Sequence, residues 1–166
     1  MKKLKVGIAG YGVVGKRRRE FIDKNKHMIT VAVSDIIFKK DGKFSNGVYY
    51  FKDFKKLLLI DLDILFVCLP NRYAPNVTIM GLKNNLHVFC EKPPGRNVKD
   101  IENVIKVEKE NKKLKLKYGF NHRYHKSIQD AKKIISSGNF GNIINFRGVY
   151  GKSKIIPFTG EWRSKR

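Results

Sequence analysis

The sequence predicts an α/β protein with a Rossmann-type, doubly wound parallel sheet, followed by the incomplete start of a second α/β domain. Three observations support this fold class. An apolar strand runs directly into a glycine-rich turn and a helix at residues 6–21, a second strand ends at Asp35, and apolar strands then alternate with helices as far as residue 118. Such alternation is typical of parallel strands joined by helices.

The glycine-rich turn has the form G-x-G-x-x-G, with Gly10, Gly12 and Gly15 as its three glycines. The first glycine of such a turn allows a tight bend, the second lets a pyrophosphate approach the backbone, and the third lets the helix pack closely on the strand. Phosphates would bind the free N–H groups at the start of the helix, where Val13 and Val14 lie. The turn therefore predicts a dinucleotide-binding site.

A carboxylate at the end of the second strand sets the predicted choice of cofactor. Asp35 follows the strand over residues 28–34, twenty positions after the last glycine of the turn. In this place it accepts hydrogen bonds from the adenosine ribose hydroxyls and repels a 2′-phosphate, so NAD is the predicted cofactor. NADP stays open as an alternative, because the arginines at 17–19 would reach a 2′-phosphate if the start of the helix faced that way.

The segment after Asp35 predicts little regular structure. Residues 39–43 are polar and turn-like, so the helix usual at this place is short or replaced by a loop. A short strand is predicted at 48–51, followed by a short helix with Asp53 near its N-terminus.

The apolar run over residues 63–70 is typical of a strand buried on both faces of a parallel sheet. Ligands of open α/β sheets bind beyond the carboxyl ends of the strands. Leu69, Pro70 and Asn71 at the end of this run are therefore predicted to face the cofactor.

The rest of the chain continues the alternation, and its last part looks incomplete. The sequence predicts helices over 75–84, from the Asn97 cap onward and over 127–137, and strands over 86–90, 114–118 and 141–150. No partner strand follows the last one, and a lone strand satisfies neither its edges nor its apolar face. We therefore expect residues 1–120 to form the dinucleotide-binding domain and residues 121–166 to begin a second domain.

The formal net charge of +22 is large. Most of the excess is lysine spread over the predicted helices, which A/T-rich codon usage also explains, and the sequence has no helix-turn-helix or zinc-finger spacing. The charge favours attraction of phosphorylated or nucleotide-linked ligands and does not indicate specific nucleic-acid recognition.

The cysteines and the lengths of the apolar runs indicate in which compartment the protein is expected. Cys68 and Cys90 lie near the ends of apolar strands, as buried reduced thiols do, and no spacing of metal ligands is present. No apolar run reaches the roughly 18 residues of a membrane span, and the first residues lack the pattern of a signal peptide. The sequence predicts a cytoplasmic protein without a metal site.

Three motifs coincide in order and spacing. They are the glycine-rich turn, Glu91-Lys92-Pro93 after the fifth predicted strand, and residues 119–124 after the sixth. Together they resemble the Gfo/Idh/MocA oxidoreductases over essentially the whole chain. The resemblance implies a Rossmann domain, a second domain with an open antiparallel sheet, and hydride transfer between a nicotinamide and a carbon of a sugar, nucleotide sugar or polyol.

The resemblance also assigns roles to residues of this chain. Lys92 would be catalytic, pointing at the substrate hydroxyl and assisting proton transfer, as an ammonium group near a developing alkoxide can. Glu91 would lie by the nicotinamide ribose. Asn121 and Arg123 resemble the family's segment that enters the second domain and lines the site, where they would either contact substrate or have a purely structural role.

At the end of the chain, Trp162 and Arg163 resemble a pair that comes over the cofactor from the second domain. Two departures from the family pattern matter. Ala74 stands where the family often has a histidine, and the family's aspartate and histidine motif would lie beyond Arg166. That histidine is the family's usual proton acceptor.

We therefore expect an amino-terminal portion that keeps the cofactor site and has lost efficient catalysis. Two alternatives stay open: a non-catalytic dinucleotide-binding module, and one subunit of a split enzyme whose carboxyl half is separately encoded. Association into homo-oligomers is also expected, because the last predicted strand and the helices expose apolar faces.

Overall fold

The computed structural model describes residues 2–151, and the chain divides into two units, Met1–Asn121 and His122–Arg166. The first unit is a sheet flanked by helices. Its strands are β1 (Leu4–Ala9), β2 (Met28–Ser34), β3 (Gly42–Lys43), β4 (Tyr49–Phe51), β5 (Ile64–Val67), β6 (His87–Cys90) and β7 (Leu116–Tyr118), and its helices are α1 (Val13–Lys24), α2 (Phe54–Leu57), α3 (Ala74–Lys83) and α4 (Val98–Glu110).

The sheet has the order β3-β4-β2-β1-β5-β6-β7, and every neighbouring pair is parallel except β3 and β4. The chain moves outward from β1 on one side and then crosses to β5 on the other. Ala9 pairs with both Ser34 and Val67, Val67 pairs with Cys90, and Cys90 pairs with Tyr118, so five strands end at one level. Open sheets bind ligands where the strand order reverses in this way, which here is the edge between β1 and β5.

Apolar side chains cover both faces of the sheet. Leu65 and Val67 of β5 belong to the buried cluster that includes α3 and α4, whereas Ile64 and Phe66 pack with the cluster that includes Ile22 of α1. Successive strand residues point to opposite faces, so one continuous apolar strand supplies both clusters. The predicted doubly wound α/β fold is confirmed.

The local signals that the sequence offered agree with most of the elements. The Asp53 carboxylate accepts a hydrogen bond from the Lys55 N–H at 2.9 Å and caps α2, and the Asn97 side chain accepts one from the Asp100 N–H at 3.0 Å and caps α4. The segment after Asp35 is a loop, apart from β3. This two-residue strand is too short to produce a periodic pattern. Because of it, the strands before Glu91-Lys92-Pro93 and before residues 119–124 are the sixth and seventh of the structure, and not the fifth and sixth.

The second unit contains a short 3-10 helix, Asn121–Tyr124, that begins at the end of the first unit, and helix α5, Lys126–Ser136. Gly138 follows the end of this helix with a φ of +74°, a conformation that glycine adopts readily. The predicted strand over residues 141–150 is wrong, because the structure gives these residues no strand pairing. Apolar alternation alone does not make a strand when no neighbouring edge supplies hydrogen bonds.

No helix among residues 2–151 is both long enough and apolar enough to cross a membrane.

Candidate functional site

The turns that follow the strands lie side by side along the carboxyl edge of the sheet. The residues that follow β1, β5, β6 and β7 each donate their N–H to the last residue of a neighbouring strand. These bonds run from Gly10 to the Ser34 carbonyl (2.8 Å), from Cys68 to Ala9 (2.7 Å), from Glu91 to Val67 (2.9 Å) and from Gly119 to Cys90 (2.8 Å). The segments that the sequence singled out within the first unit are therefore brought to one edge.

The glycine-rich turn needs its glycines for different physical reasons. Gly10 has a φ of +92°, and a Cβ there would lie 2.5 Å from the Cys68 carbonyl oxygen. A Cβ at Gly15 would overlap the Gly10 carbonyl oxygen, so this residue lets α1 start against the end of β1. Gly12 is different, because a Cβ there would meet no atom within 4 Å. The space over Gly12 is open on the side from which a phosphate would approach.

Helix α1 presents an uncapped N-terminus to that space. Gly12 is the N-cap residue and has no side chain to bond the first N–H groups, and the first turn contains no acidic residue. The side chains of Val13 and Val14 are 79% and 43% exposed. Free N–H groups and the positive end of the helix dipole make this a suitable place for an anion.

The Asp35 carboxylate lies beside the glycine-rich turn. One of its oxygens accepts a hydrogen bond from the Tyr11 N–H at 2.7 Å, and the other accepts one from the Ile37 N–H at 3.1 Å. These two bonds fix the orientation of the half-buried side chain. The glycine-rich turn and the acid at the end of β2 are therefore in direct contact.

Two of the three arginines that left NADP as an alternative cofactor have partners within the protein. Arg19 donates from one terminal nitrogen to the Tyr11 hydroxyl at 2.8 Å, and its Nε donates to Asp23 at 3.2 Å. Arg18 is paired with Glu91, and Arg17 is exposed. A carboxylate, and not a guanidinium group, therefore stands at the end of β2, which favours NAD over NADP.

The turn after β5 is close to the glycine-rich turn. The Leu69 side chain lies 3.2 Å from the position that a Cβ at Gly10 would take. The Pro70 carbonyl oxygen accepts hydrogen bonds from the N–H groups of Tyr73 and Ala74, at 2.9 and 3.1 Å, and closes the turn that contains Asn71. Leu69, Pro70 and Asn71 thus follow the carboxyl end of β5, next to the switch point, and their contact with the cofactor stays a prediction.

The turn after β6 contains Glu91 and Lys92, whose bond to Pro93 is cis. Glu91 is an ion-pair partner of Arg18 on α1, and the carboxylate is only 12% exposed. Lys92 is exposed at the same edge of the sheet. Sequence reasoning considered Arg18 only as a partner of a 2′-phosphate and missed its pairing with Glu91, although its position three residues after Gly15 puts it on the helix face that packs against the sheet.

The two cysteines are free thiols. Burial raises the pKa of Cys68 to about 12, and the nearby Glu91 charge acts in the same direction. Burial likewise raises the pKa of Cys90 to about 11. Both groups are protonated at neutral pH and are therefore poor nucleophiles. Within residues 2–151 the structure shows no group of three or more side chains able to hold a metal ion.

The remaining predicted residues lie at or beyond the end of the first unit. Asn121 follows β7 and donates its N–H to the Gly119 carbonyl oxygen at 3.0 Å. Arg123 belongs to the second unit, and its contact with substrate stays a prediction. Trp162 and Arg163 fall outside the described residues, so their predicted role over the cofactor also stays a prediction.

Comparison with known proteins agrees with this geometry. Residues 4–120 match the family described as an oxidoreductase family with an NAD-binding Rossmann fold, GFO_IDH_MocA. This chain belongs to the Gfo/Idh/MocA oxidoreductase family. Its first unit is accordingly an NAD-binding Rossmann domain.

Three relatives illustrate the similarity. The inositol 2-dehydrogenase of Salmonella typhimurium is 29% identical over 160 residues, which cover 93% of this chain and 48% of the relative. The D-glucoside 3-dehydrogenase of Escherichia coli is 28% identical over 145 residues, covering 84% of this chain and 41% of the relative. The crystal structure of scyllo-inositol dehydrogenase from Lactobacillus casei, with bound NAD(H) and scyllo-inositol, has a TM-score of 0.75 at 28% identity and covers 85% of this chain and 43% of that one.

The lengths differ in a consistent way. This chain spans about half the length of the curated relatives that it matches. It also covers a little under half the length of the solved structures that it matches.

A first prediction concerns the open space over Gly12. Gly12→Ala is expected to leave the free energy of unfolding within about 0.5 kcal/mol of the unchanged protein, because the new methyl group meets no atom. NAD affinity should fall by about tenfold or more, since the methyl group fills the approach of the pyrophosphate. Thermal unfolding and calorimetric titration measure the two effects. Gly10→Ala is the contrasting variant and should be destabilised; equal behaviour of the two variants would contradict this assignment.

A second prediction follows from the raised thiol pKa of Cys68. An unfolded thiol ionises near pH 9 while the folded one keeps its proton, so the unfolded state gains stability as pH rises from about 9 toward about 12. At pH 10.5 this should remove about 2 kcal/mol of unfolding free energy that is present at pH 8.

Cys68→Ala isolates this effect, because the variant lacks the thiol at both pH values. Urea unfolding at pH 8 and pH 10.5 should show a smaller loss of stability for Cys68→Ala than for the unchanged protein. Equal losses in both proteins would show that the thiol does not contribute.

Proposed function

We propose that this chain carries the cofactor-binding half of an NAD-dependent dehydrogenase that oxidises a secondary hydroxyl of an inositol, sugar or nucleotide sugar. The main support is the hydrogen bond from the Tyr11 N–H to the Asp35 carboxylate. It joins the turn that would bind the phosphates to the acid that would bind the ribose, at the adjacent carboxyl ends of β1 and β2. The names of the relatives support the substrate class.

The residues of the first unit fit a bound dinucleotide. The uncapped N–H groups of Val13 and Val14 would bind the pyrophosphate over the open face of Gly12. Asp35 would accept hydrogen bonds from the adenosine ribose hydroxyls. The turn after β5 would line the middle of the groove, and Glu91 would lie at the nicotinamide ribose.

When bound, NAD supplies the hydride acceptor for alcohol oxidation. The contribution of this chain to the chemistry would come from Lys92, which is exposed at the carboxyl edge of the sheet beside Glu91. Its ammonium group would hydrogen-bond the substrate hydroxyl and stabilise the negative charge that develops on that oxygen as its proton leaves.

We further propose that residues 1–120 form the cofactor domain, and that residues 121–166 begin a substrate domain to which Asn121, Arg123, Trp162 and Arg163 contribute. Helix α5 supports this division, because Ile128, Ile134 and Ile135 are about half exposed within the second unit. The covering surface would belong to the carboxyl half that the longer relatives have, or to a second copy of the chain in a homo-oligomer.

A second candidate function is that of a dinucleotide-binding module that is not catalytic by itself, or of one subunit of a split enzyme. The 166-residue chain covers 48% of the Salmonella inositol 2-dehydrogenase. Loss of a general acid or base alone costs roughly 10²- to 10⁴-fold in rate, and loss of substrate positioning adds to this.

Titration with NAD tests the cofactor assignment. Asp35→Ala is expected to weaken NAD binding about tenfold, because hydrogen bonds to a charged group contribute roughly 1.5 to 3 kcal/mol. It should also reduce the preference for NAD over NADP. Asp61→Ala is the matched control. This exposed aspartate pairs with Lys5 near the start of β1, at the end of the strand that lies away from the glycine-rich turn. Equal NAD affinity in the Asp35 variant and the unchanged protein would contradict the assignment.

Addition of a separately expressed carboxyl half separates the two candidates. We expect the chain alone to reduce NAD with inositol or glucosides at least about 10²-fold more slowly than a complete relative. If the carboxyl half of a relative restores NADH formation, the chain is one subunit of a split enzyme. If Lys92→Ala then prevents this restoration, the result supports the role of Lys92. Turnover by the chain alone at the rate of a complete relative would contradict the expected impairment.

A further inference from the structure

We propose that Arg18 is a positioning residue for the nicotinamide half of the cofactor site. It holds the Glu91 carboxylate, and with it the turn that contains Lys92, against the first helix. This inference rests on the proposed function, because it requires a dinucleotide that extends from the glycine-rich turn toward the end of β6.

The ion pair between Arg18 and Glu91 is well shielded. Arg18 Nε donates to Glu91 Oε1 at 2.6 Å, and a terminal guanidinium nitrogen contacts the same oxygen. The Arg18 side chain is 31% exposed and the Glu91 side chain 12%. Charge-assisted hydrogen bonds are strong in such surroundings, and a carboxylate left there without its cation is strongly disfavoured.

An aromatic surface fixes the Arg18 side chain. Its guanidinium carbon lies 5.0 Å from the centroid of the Phe89 ring, a cation–π geometry. Phe89 in turn stacks on Phe66, with ring centroids 4.8 Å apart. Arg18 is therefore held both by the carboxylate that it binds and by Phe89 of β6, which itself packs on Phe66 of β5.

The second oxygen of Glu91 lies beside Gly119. Oε2 accepts no hydrogen bond from the residues that the structure describes, and it lies 2.9 Å from the position that a Cβ at Gly119 would take. The Glu91 N–H is bound to the Val67 carbonyl, so backbone and side chain are both fixed. A fixed carboxylate with one free oxygen suits a ribose hydroxyl, which is a hydrogen-bond donor.

The adenosine half of the cofactor would not use this arrangement. Its predicted partners are the first turn of α1 and Asp35, which is held by backbone N–H groups and not by Arg18. Loss of Arg18 should therefore weaken the binding of NAD and leave the binding of ADP nearly unchanged. A merely structural role of Arg18 would affect both ligands equally.

The test compares calorimetric titrations of NAD and ADP against Arg18→Met, which keeps much of the side-chain length and removes the charge. We expect about a tenfold loss of NAD affinity, the effect of one misplaced charge-assisted hydrogen bond, and less than a twofold change for ADP. Arg18→Lys should recover part of the loss, because lysine supplies the charge without the planar fork. Lys24→Met is the matched control, since it removes an exposed cation from the last turn of the same helix, and it should change neither affinity.

The combination of Arg18→Met with Glu91→Gln provides a second measurement. If Arg18 acts through Glu91, the double variant should lose no more NAD affinity than the stronger single variant. If Arg18→Met does not fold in thermal unfolding, Arg18→Lys carries the comparison, with a severalfold loss for NAD and an unchanged ADP affinity expected.

Equal losses for both ligands, or no loss for either, would overturn the role of Arg18 while NAD binding by the unchanged protein stands. Binding of neither ligand by the unchanged protein would overturn the proposed function, and this inference with it.

Discussion

The contact between the end of β1 and the start of α1 is the constraint on which the rest of the site depends. Gly15 lies so close to the Gly10 carbonyl oxygen that no side chain fits between them, and Gly10 adopts a left-handed conformation under the Cys68 carbonyl. Because the helix begins there, its first N–H groups point over the open face of Gly12. The same start of α1 places Arg18 opposite Glu91.

Local pairing of charges matters more at this site than the net charge of +22. Asp35 is held by two backbone N–H groups and Glu91 by one guanidinium group, so each carboxylate has a defined orientation. The lysine excess acts over longer distances, where it raises the local concentration of anionic ligands and is weakened by salt. The paired carboxylates thus orient a bound ligand, whereas the lysines attract it.

The two units differ in how they bury apolar surface. In the first unit, helices cover both faces of the sheet, and Val6 and Ile8 of β1 and Leu65 and Val67 of β5 are fully buried. In the second, isoleucines of α5 and aromatic residues such as Phe146 are more than half exposed. Surface of this kind on an amphipathic helix is typical of a face that another domain or subunit covers.

The sequence by itself determined the strand–turn–helix unit, the position of Asp35, the caps at Asp53 and Asn97 and the strand ends at the site. These features depend on local requirements: glycine where no Cβ fits, periodicity along one element, and short-range hydrogen bonds. Tertiary structure decided that Arg18 binds Glu91, 73 residues away in the chain. It also decided that β3 pairs with β4 and that residues 141–150 form no strand, because pairing depends on whether a partner edge is present and not on the pattern of the segment itself.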